Sequence, residues 1–162
     1  MDMYEDCGDK AKTIKLIIDN SVLADYEKYY FTLHPKAKKK PLDNPYHPSI
    51  NQWFILKRPM MNALKQKLKK FMVWFIKYSG YENLQIQECE MIFTTYFKTR
   101  IRHDVDNTVP KFFIDGMVES GFIADDDNNH LKTLILKCGY DKTNPRTEIF
   151  IFNITAYKNS PL

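Results

Sequence analysis

Apolar residues recur along this chain with two different periods. Between Pro59 and Tyr78, the residues Met60, Met61, Leu64, Leu68, Phe71, Met72, Phe75 and Tyr78 return every three or four positions, the spacing of one stripe on a helix. Pro59 suits the first turn, where a missing N–H is no loss, and Gly80 suits the end. From Leu84 to Phe97 apolar and polar residues alternate and then give way to β-branched and aromatic ones, which predicts a long strand. Thr13–Ile18 and Tyr29–Leu33 read as short strands for the same reason. A second helix is predicted from Thr108 or Pro110 to Glu119, with Phe112, Phe113 and Met117 on its core side and Ser120-Gly121 ending it. Leu131–Cys138 and Glu148–Ile154 predict two further strands, joined by a turn short enough for antiparallel neighbours. The sum is an α+β domain, one mixed or antiparallel β-sheet with two main helices packed on it.

Composition adds a bound and a charge pattern. At 162 residues, 44% of them hydrophobic and 14% aromatic, the chain is long enough for one domain and too aromatic for wholesale disorder. Its three cysteines, at positions 7, 89 and 138, are too far apart for a metal knuckle or a disulfide framework, which fits a reducing cytoplasm. Uninterrupted apolar runs of about 18 residues are absent from the sequence, so no membrane span is expected. The net charge of +4 is unevenly distributed: residues 1–33 carry four Lys/Arg and seven Asp/Glu, residues 34–102 fourteen and four, residues 103–162 six and nine. The basic middle includes the proline-rich stretch His34–Ser49 with its run Lys36-Ala37-Lys38-Lys39-Lys40, an extended loop. Such a segment suits either a polyanionic partner or a solvated lysine face.

Candidate chemistry lies after that segment. Asp104 and Asp106 stand two apart, so on an extended backbone they point to one side; at about 4 Å their charges repel by roughly 4 kcal/mol at an effective dielectric of 20. Solvent or a cation must relieve this. A second cluster, Asp125-Asp126-Asp127, follows the predicted helix. If the two clusters meet, three oxygen ligands form a hard site suited to Mg²⁺, with Mn²⁺ as a substitute. Taken separately, the same residues read as a helix cap with a surface charge and as a solvated turn.

The ordered set Asp104, Asp106, Asn107, Lys111, Asp115, Gly121, Asp125 and Asp126 resembles the RusA-type Holliday junction resolvases, common in prophages. Pro48-Ser49-Ile50-Asn51 resembles that family's Pro-Ser-x-Asn segment, and the likeness runs from about Tyr29 to Ile154. The resemblance implies a RusA-like endonuclease domain over 29–154, an N-terminal extension over 1–28 and a tail over 155–162. It implies Asp104, Asp106 and Asp126 as ligands of a catalytic Mg²⁺ and Lys111 as the essential lysine. Asn107, Asp115 and Asp125 would support them, while Asp127 is assigned to solvent. Three residues, Thr108-Val109-Pro110, separate Asn107 from Lys111, where the family's commonest form has two.

The activity implied is Mg²⁺-dependent nicking of branched DNA by a homodimer, since a two-fold junction calls for two matched cuts. Candidate DNA contacts are Lys36, Lys38, Lys39, Lys40, Lys57, Arg58, Lys98, Arg100 and Arg102, all in loops or at element ends. Surplus apolar residues for a dimer interface are sought near Phe112, Phe113 and Met117 and near Phe150 and Phe152. His103 reads as a bystander, and Trp53 and Phe54 as core rather than a base-stacking platform. The alternative is a non-catalytic DNA-binding or phage accessory protein whose Asp cluster is structural.

Overall fold

The computed structural model describes residues 13–108 and 110–157. Its strands bury alternate residues. In β1 (Ile14–Ile18) Ile14, Leu16 and Ile18 face inward while Lys15 and Ile17 face out, and β2 (Ile86–Phe97) buries Cys89, Met91, Phe93 and Thr95 on the same side. With β3 (Leu131–Tyr140) and β4 (Arg146–Tyr157) they form one mixed sheet in the order β1-β4-β2-β3. β4 is antiparallel to both β1 and β2, and β3 is parallel to β2.

β3 and β4 are thus not the antiparallel neighbours that their short connection predicts. β2, flanked on both sides and apolar along its buried face, takes the place between them, and Asp141–Pro145 crosses over its end. Asp141 holds that crossing, accepting hydrogen bonds from the Thr143 and Asn144 backbone N–H and from Arg146. These bonds, led by the Asn144 N–H, pull its pKa down to about 2.

Helices cover one face. α1 (Asn20–Leu33) starts at Asp19, whose Oδ1 accepts from the Ser21 and Val22 N–H groups at 3.0 Å. Tyr29–Leu33, predicted as a strand, is its last part: the β-forming aromatics also recur at helical spacing, and Tyr26 and Tyr29 pack on Trp74. The 28/29 boundary drawn from the resemblance therefore falls inside a helix, while residues 1–12 and 158–162 lie outside the described residues. α2 (Ile50–Phe54) is a single capped turn, with Ser49 and Gln52 forming a capping box. α3 (Arg58–Tyr78) and α4 (Lys111–Glu119) follow the predicted spans closely. The core joins Phe71, Met72, Phe75 and Ile76 of α3 and Phe113 and Met117 of α4 to the inner sheet face. Each such side chain contributes about 1.5–3 kcal/mol on burial.

The α3–α4 contact is unusually close. A Cβ on Gly116 would lie 2.5 Å from the Met72 Cβ and 3.0 Å from the Lys69 carbonyl oxygen. Only glycine permits this separation, which brings the Lys65–Lys69 side of α3 against the Asp115–Glu119 side of α4. Among the described residues no helix is long and apolar enough to cross a membrane.

Candidate active site

β2, the loop after it, α4 and β3 form a βαβ unit, and the predicted site residues lie at its two connections. Asp104 precedes a single 3-10 turn, Val105–Asn107, and makes no side-chain cap bond; Pro110, at the start of α4, makes none either. Helix capping therefore does not account for Asp104. Among the described residues its one charged contact is Arg102, at 3.8 Å on the surface. Asn107 faces a different partner: its Oδ1 accepts from the Asn51 N–H at 3.3 Å, joining the start of α2 to the turn. The Pro-Ser-x-Asn segment and the Asp-x-Asp-Asn segment, 56 residues apart, thus meet in space.

The second connection brings Asp126 back. Gly121 ends α4 with φ +71°, and Phe122–Ala124 then runs along the beginning of β2, Ile86 donating to the Phe122 carbonyl and accepting from the Ala124 N–H. This return carries Asp126 Oδ2 to 3.9 Å from Lys111 Nζ. Lys111 also lies 3.3 Å from Asp115 Oδ1, and Lys65 of α3 approaches the other Asp115 oxygen at 3.7 Å. Lys111, Asp115 and Asp126 line an open cleft with Lys65 and Lys69. Asp115 is mostly covered, whereas Lys111 stays exposed.

Asp104, Asp106 and Asp126 are not gathered. Their ligand oxygens do not come within 4.8 Å of one another as a set; among the described residues the trio that does is Asp125, Asp127 and His130. That trio has a structural explanation. Asp127 Oδ1 accepts from the Asn129 and His130 N–H groups and contacts His130 Nδ1 at 2.6 Å, fixing the turn before β3. The His130 contact is the main cause that lowers its pKa. Asp127, assigned to solvent from the sequence, is therefore a turn-forming residue. Asp125 accepts from the Asp126 N–H, and both residues are exposed.

Asp104 and Asn107 line a separate cleft of about 250 Å³ with His47, Lys98 and His103. His103 stacks on Phe97 at 3.6 Å and Trp53 packs on Phe112 at 4.3 Å, whereas Phe54, expected in the core, is 71% exposed because α2 is a single surface turn. His47 went unmarked in the sequence. It is buried, and desolvation holds its pKa down to about 4, so the ring is neutral. Nδ1 is 3.2 Å from the Pro48 carbonyl oxygen, which can only accept, so Nδ1 carries the proton and Nε2 is an acceptor with no partner among the described residues. A lone His between prolines gives no periodic signal of burial. Lys65 and Lys69 are functional neighbours that the sequence reading missed, and their four-residue spacing, which matches the Asp115–Glu119 pair they meet, is the signal that could have found them.

The nine candidate DNA contacts are all exposed. Lys40 is tied to Glu27 at 2.9 Å, and Arg100 lies over the Tyr140 ring at 4.8 Å. No protein-family model and no curated protein matches this chain.

Proposed function

We propose that the chain is a metal-dependent, structure-specific DNA endonuclease of the cytoplasm that resolves four-way junctions by paired phosphodiester nicks. The observation that carries this reading is the return of Asp126 to Lys111, at 3.9 Å, at the helix that the Asp104–Asn107 turn leads into. The donor chemistry is that of a hard-cation site: Asp104, Asp106 and Asp126 offer exposed oxygens only, and they would hold Mg²⁺. A bound Mg²⁺ would acidify a water and offset charge on the phosphate oxygens.

The chain's own residues supply the rest. In hydrolysis a water oxygen attacks phosphorus, the bond to the leaving sugar oxygen breaks, and that oxygen takes up a proton. Lys111, held on one side by Asp115, would stabilise the growing negative charge or position the water. Asn107, bonded to the backbone of α2, orients the turn that carries Asp104 and Asp106. Lys98, Arg100 and Arg102 lead to that turn and would neutralise phosphates of the approaching arm.

Two copies would make the symmetric cuts. Phe112, Phe113 and Met117 belong to the core and do not serve an interface. The uncovered sheet face is the better candidate: Phe150, Ile92 and Ile135 lie in one row across β4, β2 and β3, with Phe152 stacked on Phe150. One observation favours the non-catalytic alternative, namely that the three carboxylates do not converge without a ligand. The variants Asp104→Asn and Asp126→Asn separate the two. Each is expected to abolish Mg²⁺-dependent nicking of a synthetic four-way junction while retaining binding, and undiminished cleavage in either removes the proposed site.

A further inference from the structure

A groove of about 800 Å³ lies between α1 and α3, away from the Asp104 turn. Aromatic rings form its wall. Trp74 stacks on Tyr78 with centroids 4.8 Å apart and planes 26° apart, and Tyr29 lies 5.9 Å from Trp74 at 30°. These rings are not sealed into the core: Tyr29 is 45% and Tyr78 54% exposed. Two open aromatic faces beside a near-parallel indole form a platform for further planar rings.

The charges along the same groove are unequal. Both carboxylates that line it are already matched, Glu119 by Lys69 at 2.6 Å and Glu82 by Lys77 at 3.9 Å. Lys67 and Lys70 line it too, exposed and with no acidic partner among the described residues. The groove therefore presents planar stacking surfaces together with two uncommitted ammonium groups. An acidic peptide would use the ammonium groups but leave the aromatic faces largely idle.

The geometry points to a binding groove for single-stranded nucleic acid, with bases stacked on Tyr29, Trp74 and Tyr78 and phosphates on Lys67 and Lys70. From Lys67 to Tyr78 the helix rises about 16 Å, room for about four or five nucleotides of a stacked strand. Glu119 lines both this groove and the cleft of Lys111 and Asp126, so the two adjoin. The inference does not rest on the nuclease reading, because binding is measurable where no bond is cut.

The test titrates a labelled ten-residue oligothymidylate into the full chain in EDTA, which excludes metal-dependent cleavage. A Trp53→Phe background leaves Trp74 as the one indole in the chain, so its fluorescence reports the groove. Expected results are quenching of Trp74 on binding and a loss of affinity of at least tenfold in Lys67→Glu/Lys70→Glu. The salt slope, about −0.7 per phosphate on single strands, should flatten by about one to one and a half in that variant. Lys67→Gln/Lys70→Gln, with the folded spectrum checked by circular dichroism, should show the same direction more weakly. Lys132→Glu/Lys142→Glu, exposed and away from the groove, should leave quenching intact. Unchanged affinity in both groove variants overturns the inference, as does equal loss in the distant variant. Displacement of the oligonucleotide by polyglutamate at equal charge concentration also overturns it, in favour of an acidic protein partner.

Discussion

Substituting Gly116 by Ala sets two effects of similar size against each other. Alanine in a helix interior is favoured over glycine by about 1 kcal/mol, so at an open position the change stabilises. Gly116 is not open. The added methyl would stand 2.5 Å from the Met72 Cβ and 3.0 Å from the Lys69 carbonyl oxygen, where carbon atoms rest at about 3.5–4.0 Å. Neither neighbour can move by changing rotamer, since one is a Cβ and the other is backbone. The helices must separate, and overpacking of this kind costs typically about 1–3 kcal/mol. The net expectation is destabilisation by ~1 kcal/mol or more, read as a lower urea midpoint with an unchanged m value. Met72→Ala should give no relief, because alanine keeps the offending Cβ. Met72→Gly, costly alone, should reduce the further cost of Gly116→Ala, a coupling that a double-mutant cycle measures. A raised midpoint for Gly116→Ala would refute the close approach that sets Lys65 beside Asp115.

Two further predictions follow from buried and exposed side chains. His47 has its pKa lowered from 6.5 to about 4 in the folded chain, so below about pH 6.5 the unfolded chain binds the extra proton; stability should fall by about 2 kcal/mol between pH 7 and pH 5, and His47→Leu should flatten urea midpoints across that window, whereas an unchanged slope would contradict its neutral burial. Phe150→Glu, at the centre of the uncovered sheet face, should turn a sedimenting dimer into a monomer with native circular dichroism, and a dimer that persists would place the interface elsewhere.

The elements visible in the sequence were those whose pattern is local. α3, α4 and β2–β4 follow from apolar period and from Gly and Pro stops, within a few residues at their ends. Strand order was not local: a short connection usually joins neighbours, but here β2 enters between β3 and β4. Tyr29–Leu33 misled because β propensity describes residues on a half-buried surface, and packing on Trp74 supplies such a surface to a helix equally well. The site divided in the same way. That Asp104 and Asp126 flank one helix is legible, whereas the approach of Asp126 to Lys111 depends on the Gly121 turn and on pairing with Ile86, a contact 37 residues away from Ile123. The division of charge was legible too. The basic middle of the chain supplies Lys65 and Lys69, which neutralise the acidic face of α4, so part of that charge is structural rather than free for a polyanion.

The most direct measurement incubates the wild-type chain with an end-labelled four-way junction and with a linear duplex of the same sequence, in Mg²⁺ and in Mn²⁺, and maps the cuts on all four strands. A junction-resolving nuclease gives paired, symmetric nicks in the junction, none in EDTA and few in the duplex. Intact strands under every metal condition, with the junction nonetheless bound, would contradict the endonuclease reading and leave a DNA-binding protein in its place.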